Sequence, residues 1–262
     1  MAKVRLDVLM VARGLAESRS QAQRLIMAGQ VRAAGQLVTK PAASVMADVN
    51  LEVDQGPPYV SRGGEKLAAA LERFPLRVDD QICADVGAST GGFTDCLLQH
   101  GARRVYAIDV GYGILHWKLR QDARVVVMER TNARYVARLD EYVLLVTIDA
   151  SFISLKILLP VVSGWFSPQG GQVIALIKPQ FEAGRREAAR GDGVIRQPQI
   201  HARVLSETLE FAQRADYSVN GLLRSPLLGP KGNVEFLAWL SYPASSGPGL
   251  AELIRDVLPP GE

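Results

Sequence analysis

From residue 80 onward, short apolar runs alternate with longer stretches of helical periodicity. Ile82–Val86, Val105–Val110, Val125–Met128, Leu144–Ile148, Val173–Ile177 and Phe236–Leu240 are each bounded by turn residues. Between them lie amphipathic segments. In 198–214 a proline opens the first turn, and Ile200, Val204, Leu205, Thr208 and Phe211 form one inward stripe. Such alternation predicts an α/β fold with a mostly parallel, doubly wound sheet covered on both faces. Ligands of these sheets sit beyond the carboxyl ends of the strands, so chemistry is expected just after each apolar run.

The first 55 residues follow a different rhythm. Asp7 is placed to cap a helix over Val8–Arg13, which Gly14 stops. Ser18 and Gln21 form a capping-box pattern opening a second helix, with Ala22, Leu25 and Ile26 inward and Gly29 at its end. Val31-Arg-Ala and Leu37-Val-Thr flank an Ala34-Gly35 turn, and Val49–Val53 alternates as a half-buried strand does. Asp54-Gln-Gly-Pro-Pro58 opposes both helix and strand. The expected organisation is therefore a small α+β module over 1–55, a linker over 56–63, a large domain over 64–245 and a tail or short helix over 246–262.

Charge separates the two parts. Residues 1–47 hold Lys3, Arg5, Arg13, Arg19, Arg24, Arg32 and Lys40 against Asp7 and Glu17, seven minus two or +5. The whole chain nets +3, which leaves −2 for the remainder. A basic module on a mildly acidic domain suits a polyanion partner. It contains no Phe, Tyr or Trp before Tyr59, so recognition would lean on phosphates and RNA shape rather than on stacked bases. Cys83 and Cys96 have no partners at metal-ligand spacing, and His100, His116 and His201 form no cluster, so no metal site is expected. The amino terminus lacks a signal-peptide core, and the greasiest stretch, Leu155 to Phe166, is interrupted by Lys156 and Pro160. It falls short of the ~20 residues of a membrane span. A cytoplasmic protein without membrane association is expected, and no obligate protein partner is indicated.

The chemistry gathers at the tips of the apolar runs. Asp85-Val-Gly-Ala-Ser-Thr-Gly-Gly-Phe93 reads as a strand entering a glycine-lined nucleotide loop. About twenty residues on, Asp109 ends the next run, where a Rossmann-like sheet places the acid that grips ribose hydroxyls. The glycines do not follow the G-x-G-x-x-G spacing of dehydrogenases. Their D-x-G-x-x-x-G-G pattern resembles motif I of S-adenosylmethionine-dependent methyltransferases. Asn132 follows the third run, Asp149 the fourth and Lys178 the fifth. A charge at the end of an apolar strand is costly unless paired or functional, and a plain Asp149–Lys178 salt bridge is the competing explanation.

Two resemblances sharpen this picture. Arg5-Leu-Asp7, Gly14-Leu-Ala, Ser18-Arg19, Ala22, Leu25-Ile26, Gly29-x-Val31 and Gly35 resemble the S4 RNA-binding domain. That likeness implies RNA contacts from Arg5, Arg19, Arg24, Arg32 and Lys40. Over nearly the whole chain, the S4 module, Val-Ser-Arg-Gly-Gly-x-Lys66, the Asp85 loop, Asp109-Val-Gly-Tyr-Gly113, Glu-Arg-Thr-Asn-Ala-Arg134, Asp149-x-Ser-Phe-Ile-Ser154, Lys-Pro-Gln-Phe-Glu182 and Gly-Asn-Val-Glu235 resemble the TlyA family. These are S4-fused relatives of the FtsJ ribose methyltransferases, also labelled haemolysins. The resemblance implies a Rossmann-like methyltransferase fold and 2′-O-methylation of a cytidine in ribosomal RNA with S-adenosylmethionine. It also implies a catalytic tetrad of Lys66, Asp149, Lys178 and Glu235.

For the cofactor, Asp85 and Gly87 are expected by the methionine moiety and Gly91 near the ribose. Asp109 is expected on the ribose hydroxyls, and Asn132 near the adenine or methionine end. Ser89, Gly92, Phe93 and Asp149 complete the set. A 2′-hydroxyl is a poor nucleophile that must lose its proton or have its lone pair aimed, and Lys178 is placed to do either. Lys66 falls near the domain junction, so RNA docking on the S4 module could help complete the site. The loop 184–193 carries Arg185 and Arg186 as candidate phosphate contacts, and Pro226–Asn233 is expected to present Glu235. Tyr112, Trp117 and Phe152 are expected to be core or cofactor-wall residues. Three other readings compete: a membrane-lytic protein, which would need a spanning or strongly amphipathic segment; a non-catalytic RNA-binding adaptor; and a dehydrogenase.

Overall fold

The computed structural model describes residues 3–54, 56–184, 187 and 193–258. They form two compact units, Met1–Pro58 and Tyr59–Glu262. The expected linker is therefore shorter than 56–63. Tyr59 and Val60 pack on the core of the second unit, and the Val60 amide donates to Asp95 Oδ2 at 2.8 Å.

The first unit holds β1 (Lys3–Arg5), α1 (Leu6–Ala12), α2 (Arg19–Met27), β2 (Val31–Ala33), β3 (Gln36–Leu37), β4 (Ser44–Met46) and β5 (Leu51–Val53). Leu6, Met10, Ala22, Ile26 and Val31 make its small core. Ser18 caps α2, its Oγ accepting from the Gln21 amide. The Gln21 side chain reaches back to the Glu17 amide at 2.7 Å, one residue earlier than a capping box would have it. Asp7 does not cap α1. It lies inside the helix, fully shielded, and accepts hydrogen bonds from Arg5, Arg19 and Gln23. The Arg5 guanidinium above all holds its carboxyl well below the usual carboxylate range. β1 and β4 pair with each other and were not among the expected strands.

The second unit is built on a seven-stranded sheet: β6 (Ile82–Val86), β7 (Arg104–Ile108), β8 (Val125–Met128), β9 (Leu145–Ile148), β10 (Gly171–Ile177), β11 (Ser218–Arg224) and β12 (Phe236–Tyr242). Its order is β11-β12-β10-β9-β6-β7-β8. Every pair from β10 through β8 is parallel, and β12 alone runs against the rest. The helices are α3 (Gly63–Arg73), α4 (Gly92–Gln99), α5 (Trp117–Arg120), α6 (Leu155–Val162), α7 (Pro179–Glu182), α8 (Pro198–Arg214) and α9 (Leu250–Val257). α8 occupies the residues its stripe predicts. Two apolar clusters lie on opposite faces of the sheet, one under α6, α8 and α9, the other under α3 and α4. Fully shielded strand residues such as Val146, Val173 and Ala175 explain why the strands read as unbroken apolar runs. Cys83 and Cys96 are free and buried, and burial pushes each thiol up to about 12.

Candidate active site

The carboxyl ends of β6, β9 and β10 converge on one cleft. Gly87 leaves β6 with φ +84°, and a Cβ there would stand 2.7 Å from the Asp149 carbonyl oxygen at the tip of β9. The missing side chain is what lets the two strand tips close on each other. At Gly92 the crowding comes from the other side: a Cβ would meet Ser61 Oγ at 2.3 Å and the Gly64 amide at 2.9 Å. The start of α3, which carries Lys66, thus lies directly on the glycine loop.

Two cavities flank this loop. The first, about 460 Å³, is lined by Ser61, Arg62, Lys66, Gly87, Ser89, Gly92, Phe93 and Asp149, with Leu228 and Pro230 closing it. The second, about 610 Å³, runs from Gly87 and Ser89 past Asp109, Ile114 and Asn132 to Asp149–Ser154. They share Gly87, Ser89 and Asp149. The Asp109 carboxylate accepts from the Ser89 amide at 2.8 Å and the Gly111 amide at 2.7 Å, which fixes it at the cavity edge. Asn132 lines the same cavity while its Oδ1 accepts from the Arg134 amide.

Two residues of the expected cofactor set stand elsewhere. Asp85 lines neither cavity. It is wholly buried beneath the loop, accepting from Thr94 Oγ1 at 2.7 Å and Thr147 Oγ1 at 3.0 Å. Burial pushes its carboxyl up to about 7, against the pull of those two hydroxyls. Gly91 faces Leu119 and Leu115 rather than a cavity, a Cβ there coming within 2.1 Å of Leu119.

The four ionic positions meet as two pairs. Lys66 Nζ lies 2.5 Å from Glu235 Oε2, and Lys178 Nζ lies 2.7 Å from Asp149 Oδ1. Lys178 also donates to Ser151 Oγ at 3.0 Å. Gln180 Nε2 donates to Glu235 Oε1 at 3.4 Å, joining the segment after β10 to the Lys66 pair. Lys66 and Asp149, one member of each pair, line the same cavity. The salt bridge named as the alternative to function is therefore present, but at the mouth of the cleft and with a second pair beside it. Gln180, Ser151 and Glu182 carry contacts that sequence reasoning missed; each lies inside a motif already singled out, which was the available signal.

Other expected residues divide. Arg24, Arg32 and Lys40 are exposed on the first unit, whereas Arg5 and Arg19 are tied by their guanidinium groups to Asp7. Arg185 and Arg186 lie outside the described residues. Tyr112, Trp117 and Phe152 are not core: they are 68%, 65% and 90% exposed, because each sits on a loop or first turn past a strand end. Phe152 does border the second cavity, held at φ +63° with its ring 4.8 Å from that of Phe181. Tyr112 stacks under the Arg130 guanidinium at 4.0 Å. Among the described residues no group of three or more His, Cys, Asp and Glu could hold a metal ion, and no helix is long and apolar enough to cross a membrane.

A Rossmann-like sheet with its cleft at the strand tips, preceded by a small basic α+β unit, defines a methyltransferase enzyme carrying an S4 domain. Family models match in the same places: FtsJ-like methyltransferase over residues 59–242 and the S4 domain over 4–45. The chain belongs to the TlyA family, the S4-fused branch of the FtsJ-like methyltransferases. It is 44% identical over 266 residues to the 16S/23S rRNA (cytidine-2′-O)-methyltransferase TlyA of Mycobacterium tuberculosis, covering 99% of this chain and 98% of that one. It is 42% identical to Hemolysin A of Brachyspira hyodysenteriae, over 90% of this chain and 98% of the other. A solved structure from Streptococcus thermophilus that carries a hemolysin name superposes with a TM-score of 0.72 at 45% identity, covering 98% and 96% of the two chains.

Proposed function

We propose that this enzyme transfers a methyl group from S-adenosylmethionine to the 2′-hydroxyl of a cytidine in ribosomal RNA, acting in the cytoplasm on ribosomal subunits. The observation that carries the reading is the placement of two lysine–carboxylate pairs at the strand tips, on a cavity that shares Gly87, Ser89 and Asp149 with its neighbour. The second cavity suits the nucleoside end of the cofactor. Its edge offers the Asp109 carboxylate, fixed by two amides and able to accept from ribose hydroxyls, and its walls are Ile108, Ile114, Ile157 and Leu158. When bound, S-adenosylmethionine supplies an electrophilic methyl on a positively charged sulfur.

The residues of the chain then do the rest. Lys178, held by Asp149, which lines both cavities, and by Ser151, can aim the oxygen lone pair as an ammonium, and can take the hydroxyl proton only after losing one of its own. Transfer would leave S-adenosylhomocysteine and a 2′-O-methyl ribose, and the hydroxyl proton would pass to a deprotonated Lys178 or, with Lys178 as the ammonium, to water. Lys66, anchored by Glu235, places a second positive charge on the cavity wall for the RNA backbone. Alignment of oxygen, carbon and sulfur supplies much of the acceleration and needs no metal. Phe152 offers an exposed ring at the cavity rim, suited to the face of a nucleobase. On the S4 unit, Arg24, Arg32 and Lys40 meet phosphates, and Arg5 and Arg19 do so from a fixed anchor.

The test is transfer of labelled methyl from S-adenosylmethionine to each ribosomal subunit prepared from cells lacking the enzyme. Label is expected on a ribose 2′-oxygen and is nearly abolished by Lys178→Ala while cofactor binding survives. Label on a base, or full activity of Lys178→Ala, would overturn the reading.

A further inference from the structure

The segment after β9 and the segment after β10 are cross-linked rung by rung. Lys178 reaches Asp149 and Ser151, the Phe181 ring lies against Phe152, and Glu182 closes the far end. At that end Glu182 uses both carboxylate oxygens: Oε2 accepts from Ser154 Oγ at 2.5 Å and Oε1 from the Leu155 amide at 2.8 Å. Ser154 is also the cap of α6, accepting from the Lys156 amide. Between the rungs sits Phe152, a non-glycine residue at positive φ with 90% of its surface exposed. Such a conformation is strained for a residue with a Cβ and persists only where its surroundings hold it. Its ring packs on that of Phe181, so residues 178–182 support it.

We propose that Glu182 is a positioning residue for methyl transfer. By pinning Ser154 and Leu155 it keeps the Asp149–Ser154 segment in register with Lys178, and so sets the wall of the cofactor cavity and the orientation of the lysine together. The inference rests on the methyl-transfer reading above. Glu182 lines neither cavity, so its influence passes through the segment it holds. Misplacement of reacting groups by about 1 Å costs up to about 100-fold in rate.

The experiment compares Glu182→Ala, Glu182→Gln and Glu182→Asp in the full chain with wild type and Lys178→Ala. Turnover on the ribosomal substrate is expressed per cofactor site, titrated with S-adenosylhomocysteine. Glu182→Ala is expected to lose about 10- to 100-fold in kcat per titrated site, with KM for the ribosomal subunit within about threefold. Gln keeps an acceptor for the Leu155 amide and a group for Ser154, and restores turnover to within about threefold of wild type. Asp, one methylene shorter, cannot span both partners and stays low. Activity lost only in proportion to lost cofactor sites would mean a merely structural role and overturn the proposal. If Glu182→Ala yields no folded protein, the Gln and Asp variants decide alone, and equal turnover of the two overturns it. An active Lys178→Ala sinks the underlying reaction instead, which keeps the two failures apart.

Discussion

Lys66 Nζ and Glu235 Oε2 stand 2.5 Å apart although 169 positions separate them in the chain, and the Glu235 side chain is 1% exposed. A shielded pair of this kind is costly to break from one side, because the surviving charge keeps no partner. Glu235→Ala is expected to destabilise the large unit by about 3–5 kcal/mol. The double variant Lys66→Met with Glu235→Leu is expected to cost clearly less than the sum of the single changes. Denaturant unfolding of the four proteins in a double-mutant cycle measures this, and additive losses would show that the pair does not act as a unit.

Asp109 is held by the Ser89 and Gly111 amides at the edge of the larger cavity. Asp109→Ala is expected to weaken S-adenosylhomocysteine binding by more than tenfold, about 1.4 kcal/mol or more. RNA affinity is expected to stay within about twofold. Calorimetric titration with the cofactor product, alongside RNA binding, separates the two effects.

Asp85 gives a pH signature. Its carboxyl is raised to about 7 in the fold by burial, against about 4 in an unfolded chain. Between those values the folded state keeps a proton that the unfolded state has released, so stability falls as pH rises through this window. Asp85→Asn cannot titrate. Melting curves from pH 4 to 8 are expected to show the variant gaining on wild type as pH rises, with the difference levelling above about pH 7. A constant difference across the range would remove Asp85 as the cause.

Asp7 yields the opposite sign of expectation from simple charge counting. Asp7→Asn makes the S4 unit more positive, yet it releases Arg5 and Arg19 from their anchor. The change is expected to cost about 1–3 kcal/mol in that unit through lost buried hydrogen bonds. RNA affinity falls rather than rises. Because the Asp7 carboxyl is depressed, its stabilisation is present above about pH 4 and disappears as pH drops below that value. Fluorescence anisotropy with labelled RNA reads the affinity, and tighter binding would show that the anchor is irrelevant.

Arg24, Arg32 and Lys40 are exposed cations on the same unit. If each contacts a phosphate, replacing each by Ala lowers the slope of log K against log salt by about 1. An unchanged slope in the triple variant would place the RNA elsewhere.

Ile82–Val86 was legible from its run because it is shielded on both faces, while the half-buried edge strand Val125–Met128 was legible from its three consecutive valines alone. β11 was not, since Asn220 and Gly221 interrupt its apolar character and a register shift falls between Val219 and Gly221. The glycine there answers to the Phe74 ring, whose Cε1 would lie 2.6 Å from a Cβ, a tertiary demand that no local pattern announces. The ionic residues at the strand tips were visible as isolated charges, but which would pair was not. Proximity of Lys66 to Glu235 depends on how α3 crosses the glycine loop. The Asp85 side chain turns inward to Thr94 and Thr147, a tertiary arrangement with no local signal.

The reversed direction of β12 settles where Glu235 can be. Ile177 and Phe236 face each other across β10 and β12, so a residue preceding one strand arrives beside a residue following the other. Within the hairpin from Ser225 to Val234, Leu228 and Pro230 close the first cavity, so a change of length there would reshape the cavity wall. A slip of one residue in the β12 ladder, by contrast, would turn Glu235 to the far side of the sheet and leave Lys66 stranded.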